Sequence, residues 1–168
     1  MIEIKIKDKE MADAAREGAE EFLQLVINRT KEAICGELTV ENMQRMSSDQ
    51  ITLMGYAILR EEVMDGGFIQ LIHNGYGPFF FRNPFDAAMR NWSLVELCRL
   101  MRKVKKQYLR YHEEIEREMS DEEFMATYEQ MPVFDDFDDD FVSNEEEWSA
   151  KVAHYLDEHL ENFITITE

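Results

Sequence analysis

The stretch SLVELCRLMRKVKKQYLRYHEEIEREM, residues 93–119, carries apolar side chains at Leu94, Leu97, Cys98, Met101, Val104, Tyr108, Tyr111, Ile115 and Met119. Steps of three and four persist from end to end, the period of a helix with one buried stripe and a wet remainder. No Gly or Pro interrupts it. The pattern predicts a helix begun at Ser93, the longest in the chain, and sets an α-helical frame for its neighbours.

Toward the C-terminus the frame holds. Ser120-x-x-Glu123 reads as a capping box for a helix to about Met131, which Pro132 ends. Ser143-x-x-Glu146 reads as a second box, with Trp148, Val152, Tyr155, Leu156, Leu160 and Phe163 striping a final helix. Toward the N-terminus, Asn83-Pro84 predicts a cap with Pro at the first helical position of a short helix to about Asn91. Phe79-Phe80-Phe81 is read as extended or loop. Ser48 or Asp49 caps a helix to about Met64, apolar nearly all round and therefore central to the core. Asp65-Gly66-Gly67 breaks it, and Phe68 to His73 forms a short helical segment. Thr39 caps a short helix over Val40 to Met46, and residues 9–34 read as one helix stopped by Gly36. The alternations Ile2, Ile4, Ile6 and Phe163 to Thr167 predict two short strands able to pair as a terminal ribbon. The expectation is one compact, multi-helix domain over residues 1–168, all-α or nearly so.

Charge divides the chain unevenly. Residues 118–168 hold 17 acidic side chains and one basic, Lys151, a net of −16 within a total of −18. The segment also keeps Phe124, Tyr128, Phe134, Phe137, Phe141 and Trp148, whereas disordered acidic segments are poor in aromatics. A folded acidic surface is expected. It opposes direct binding to nucleic acid or an anionic membrane and favours a basic protein partner. The carboxylates singled out are Asp135, Asp136, Asp138, Asp139, Asp140, Glu145, Glu146 and Glu147, with Phe134, Phe137 and Phe141 as anchors to the core.

Gly66-Gly67-Phe68-x-Gln70 followed by Asn74-x-x-Gly77 is the most specific motif. Its structural reading is a positive-φ turn between packed helices, with the Gln70 and Asn74 amides on one side, bonded to loop backbone. A phosphate-cradling loop would need a Lys-Ser/Thr pair and a preceding strand, and both are missing. Together with Glu62, Val63 and Asp65, the motif resembles the hallmark of a bacterial family once catalogued as a domain of unknown function and named for a nineteen-kilodalton DNA-mimic protein. Asp65 stands where that family has Asn, and Leu71-Ile72 where it has two aromatics. The likeness covers about residues 49–160. It implies a helical fold and carboxylates that replace DNA phosphates on a helix-turn-helix transcription factor.

Other readings stay open at this stage. The acidic face is a solvated surface, or one neutralised internally by Arg99, Arg102, Lys103, Lys105, Lys106 and Arg110. Asp136, Asp138, Asp140 and Glu147 occupy EF-hand positions for calcium, although Phe141 stands where the loop needs Gly. No metal set, cofactor motif or catalytic constellation is nominated, and an enzyme is not expected. Of the four His, only His73, in the glycine-rich turn, invites attention. Cys35 and Cys98 read as small core residues. No signal peptide or membrane span is evident, so a cytoplasmic protein is expected.

Overall fold

The computed structural model describes the whole chain, Met1 to Glu168. Nine helices lie between two terminal strands: β1 (Lys5–Lys7), α1 (Asp8–Glu17), α2 (Ala19–Ala33), α3 (Val40–Met43), α4 (Ser48–His73), α5 (Gly77–Phe81), α6 (Phe85–Asn91), α7 (Val95–Glu116), α8 (Asp121–Gln130), α9 (Asp135–Glu158) and β2 (Thr165–Thr167). The near-all-α expectation holds. No helix is long and apolar enough to cross a membrane. The chain forms two compact units, Met1–Ala57 with Glu146–Glu168, and Ile58–Glu145, so α4 and α9 each contribute to both.

In the first unit the two strands pair, in parallel, with Lys5 opposite Thr165 and Lys7 opposite Thr167. Three-residue strands are marginal alone. Here Ile2, Ile4 and Ile6 are buried beneath them, each worth about 1.5–3 kcal/mol. Gln50 ties both ends of the chain. Its Nε2 donates to the carbonyls of Ile2 at 2.9 Å and Phe163 at 2.8 Å. The same side chain accepts from the Ser47 N–H while Ser47 Oγ accepts from the Gln50 N–H, each at 3.0 Å. The cap of α4 is therefore a Ser47-x-x-Gln50 box, one residue ahead of the predicted Ser48 or Asp49.

The predicted helix over residues 9–34 is two, because Gly18 at φ 156, ψ 175 cannot continue a helix. Cys98 is buried as expected, but Cys35 is exposed at φ 59, in the turn where the Gly36 N–H closes α2 onto the Lys31 carbonyl.

In the second unit, Phe79-Phe80-Phe81 is helical, not extended. Phe80 meets Phe85 edge-on at 4.9 Å and Phe81 lies 4.9 Å from Tyr108, geometry that a single helical turn after Pro78 supplies. Pro84 caps α6 instead of opening it. Ser93 sits outside α7 at φ 68, and α7, with 22 residues, is shorter than α9 (24), while α4 is broken at Gly67 as expected. The Ser120–Glu123 box forms as predicted, with both reciprocal bonds. The Ser143–Glu146 box does not. Ser143 lies inside α9 and its hydroxyl donates to the Asp139 carbonyl at 2.7 Å, an ordinary back-bond within a helix. The aspartate-rich stretch is thus the beginning of α9.

Candidate functional site

Helix α9 begins right after a 3₁₀ turn at Pro132–Phe134, with Asp135, Asp136 and Asp138 in its first turn. Acidic side chains at a helix N-terminus gain about 0.3–1 kcal/mol each from the unsatisfied N–H groups. That offsets the roughly 0.2–0.5 kcal/mol by which like charges four apart repel. A helix can therefore open on a run of aspartates.

The periodicity of α9 sorts its carboxylates. Phe134, Asp138, Phe141 and Glu145 fall at steps of four, three and four; both phenylalanines are fully buried and both acids partly so. Asp135, Asp136, Asp139 and Asp140 point the other way and are exposed. None of these four forms an ion pair. Asp140 alone has a side-chain partner, the Asn144 amide at 3.1 Å. At 1.5 Å of rise per residue, these four charges lie within ~7.5 Å of axis, one per ~2 Å. Duplex DNA carries one per ~1.7 Å. In the other unit, Glu146 and Glu147 are exposed, and Glu147 pairs with Lys151 at 3.2 Å.

The two inward acids serve the packing against α4. Glu145 pairs with Arg60 at 3.5 Å, the side chains 21% and 13% exposed. Asp138 Oδ1 accepts the Phe68 N–H at 2.8 Å, where Gly67 (φ 75, ψ −175) interrupts α4. Burial pushes the Asp138 carboxyl up to about 6, against the lowering effect of the Phe68 bond, with Asp135 and Asp139 adding repulsion. A Cβ at Gly67 would collide with this carboxylate. Gly67 is thus needed twice, for its backbone angle and for its missing side chain.

The rest of the glycine motif holds the same kink. Tyr128 of α8 donates its hydroxyl to the Gly66 carbonyl at 2.7 Å. Burial first, then Asp138, Asp65 and Glu62, raise that hydroxyl above the usual tyrosine range. Gln70 and Asn74 do share a side, but their amides donate to carboxylates and not to loop backbone. Gln70 Nε2 reaches Glu62 Oε2 at 3.1 Å and Asp65 Oδ2 at 2.9 Å, and Asn74 Nδ2 reaches Glu62 Oε2 at 2.9 Å. Gly77 lets the Tyr108 ring approach the backbone of α5. His73 Nδ1 meets the Ile115 carbonyl at 2.7 Å, and its ring lies 4.7 Å from Phe124, a clamp on the end of α7.

Arg60 and Tyr128 are the participants that sequence reasoning missed. Neither has a local signature, but an acid in each of two inward positions of α9 is a signal that a donor must face it.

Internal neutralisation by the basic helix does not occur. Arg99 pairs with Glu96, Arg102 with Asp86, and Arg110 lies over Tyr111; none of the six basic residues pairs with residues 118–168. The calcium loop fails as well, because the stretch is helix. Asp136 and Asp140 then share a side while Asp138 turns away, and no group of three or more His, Cys, Asp or Glu is placed to hold a metal ion.

Comparison with known proteins gives two matches. A family described as DMP19-like protein matches residues 44–159, a span that includes the glycine motif and all eight carboxylates. A relative from Neisseria meningitidis serogroup B (strain ATCC BAA-335 / MC58), the DNA mimic protein DMP19, is 30% identical over 128 residues, covering 75% of this chain and 77% of its own.

Proposed function

The chain belongs to the DMP19-like protein family, and from that membership we propose that it works as a DNA mimic, occupying the nucleic-acid-binding surface of a basic protein in the cytoplasm. The partner class we favour is a DNA-binding transcription factor. Asp135, Asp136, Asp139 and Asp140 stand in for phosphate oxygens and accept charge-assisted hydrogen bonds from its Arg and Lys side chains. Glu146 and Glu147, exposed in the other unit, take the same role. Asp138 and Glu145, though acidic, face α4 and do not belong to this outward set.

One observation carries this reading. The four outward aspartates have no internal cation, and their axial density is close to that of a duplex. Helix and nearby packing hold them in place, so little ordering entropy opposes binding. An unstructured acidic tail would lose that advantage. The protein acts by binding in this reading, with no catalytic step.

The test is capture from native cytosol at low salt, followed by challenge with duplex DNA. Mimicry expects a DNA-binding protein to be retained and then released by the duplex. Retention of no DNA-binding protein, even at low salt, would leave the acidic surface as solvated charge.

A further inference from the structure

Beside the kink of α4 lies a cleft of about 420 Å³, with Gly66 and Gly67 among its lining residues. Asp65 and Asp138 enter it, and Phe124, Met125 and Tyr128 of α8 line it from the other side. No Lys, Arg or His lines it. The donors that reach its carboxylates are uncharged: the Gln70 amide on Asp65 and the Phe68 N–H on Asp138 Oδ1. Asp138 Oδ2 has no hydrogen-bond partner. The half-buried Asp138 carboxyl is pushed up chiefly by burial, the condition of an acid that lacks a cation.

The walls narrow the choice of cation. The Phe124 and Tyr128 rings stand 5.3 Å apart at 73°, and the Tyr128 hydroxyl bond to Gly66 fixes its ring beside the cleft. Met125 adds a polarizable thioether and is 63% exposed, a large apolar group left in water. A point-like metal ion would need converging oxygens, and no such group is present. A guanidinium suits the site better. It is planar, weakly hydrated, stacks on rings and forks between carboxylates, whereas an ammonium is compact and strongly hydrated.

We propose that this cleft receives one arginine side chain of the basic partner, its guanidinium against Tyr128 and bridging Asp65 and Asp138. The site rests on the DNA-mimic reading only in that the partner supplies the arginine. It adds a defined pocket to a surface that otherwise recognises charge alone, and so selects a partner by residue type as well as sign.

The experiment titrates the isotope-labelled protein with N-acetyl-arginine amide and, separately, N-acetyl-lysine amide at pH 7.5 and constant ionic strength. Amide shifts concentrated at Gly67, Phe68 and Tyr128 are expected, with the arginine probe roughly 2- to 5-fold tighter, the range that an exposed cation–π contact implies. Asp65→Asn and Asp138→Asn each keep an acceptor for their internal donor, and each is expected to weaken the arginine probe while leaving the spectrum dispersed. Equal response to both probes, or no shift around the cleft, overturns the proposal. The two readings separate cleanly. Arginine-selective shifts without capture of a DNA-binding protein would uphold the cleft and sink the mimic, and capture without such shifts would do the reverse.

Discussion

Replacing Asp138 by Asn removes a charge and little else. The amide oxygen can still accept the Phe68 N–H, now 2.8 Å from Oδ1, and the side-chain volume is unchanged. The carboxyl is raised from 3.8 to about 6, by burial first and then by Asp135 and Asp139, with the Phe68 bond opposing. An acid raised on folding binds its proton more tightly in the native state. Between about pH 4 and 6 the native chain therefore holds a proton the unfolded chain has lost, and stability falls as pH rises through that window. Above it the penalty is constant. A shift of about two units corresponds to ~3 kcal/mol at ~1.36 kcal/mol per unit. The carboxyl is partly open to water, and screening reduces this to about 1–2 kcal/mol. At pH 7.5 the Asn variant should be more stable than the parent by about that amount, and the gap should close near pH 4. Urea titrations at pH 4.5, 6 and 7.5 measure it, and common effects of the other acids cancel in the difference. Asp138→Ala should do the opposite, losing about 1–3 kcal/mol because the Phe68 N–H is left unsatisfied. An Asn variant less stable than the parent at pH 7.5, by a margin that does not change with pH, would refute the reasoning.

Four further substitutions probe the same framework. Gly67→Ala must adopt φ 75, ψ −175 and meet the Asp138 carboxylate, whereas Gly36→Ala adopts φ 92 with nothing within 4 Å. By chemical denaturation the second should cost about 1–2 kcal/mol and the first clearly more. Glu145→Gln removes the carboxylate charge that Arg60 meets at 3.5 Å in a partly buried position; a loss of about 1–2 kcal/mol is expected, and equal stability would mean that this contact adds nothing to the fold. Gln50→Ala removes the side-chain half of the α4 capping box, leaving the Ser47 hydroxyl on the backbone N–H of residue 50, and removes both ties to the terminal segments, which should cost about 2–3 kcal/mol. Amide exchange would then quicken at β1 and β2 before the rest of the chain; unchanged exchange there would contradict Gln50 as the link.

Much of the fold was readable because it obeys local rules. The stripe of α7, the Ser120–Glu123 box, the stop at Pro132 and the pairing of the chain ends all follow from periodicity and capping. The errors fall where a tertiary partner decides. Ser143-x-x-Glu146 has the letters of a capping box, but Phe134, Phe141 and Trp148 at steps of seven carry one helix straight through it. That stripe was hard to see because Asp138 and Glu145 interrupt it, and only Phe68 and Arg60, distant in sequence, explain acids there. The three phenylalanines at 79–81 have no helical periodicity of their own and fold by packing on Phe85 and Tyr108. The acidic surface itself was legible, but its division into outward and inward carboxylates needed the helix register. So did the acceptors of Gln70 and Asn74, which lie on the far side of the Gly67 kink.

The most direct measurement compares two variants of equal charge for capture of a DNA-binding protein and its release by duplex DNA. One carries Asp135, Asp136, Asp139 and Asp140→Asn; the other carries Glu17, Glu21, Glu37 and Glu41→Gln, all exposed and all outside α9. The account predicts that the first loses capture while staying folded, and that the second captures as the parent does. Equal loss in both would mean that net charge alone draws the partner, and the aspartates of α9 would then have no special part.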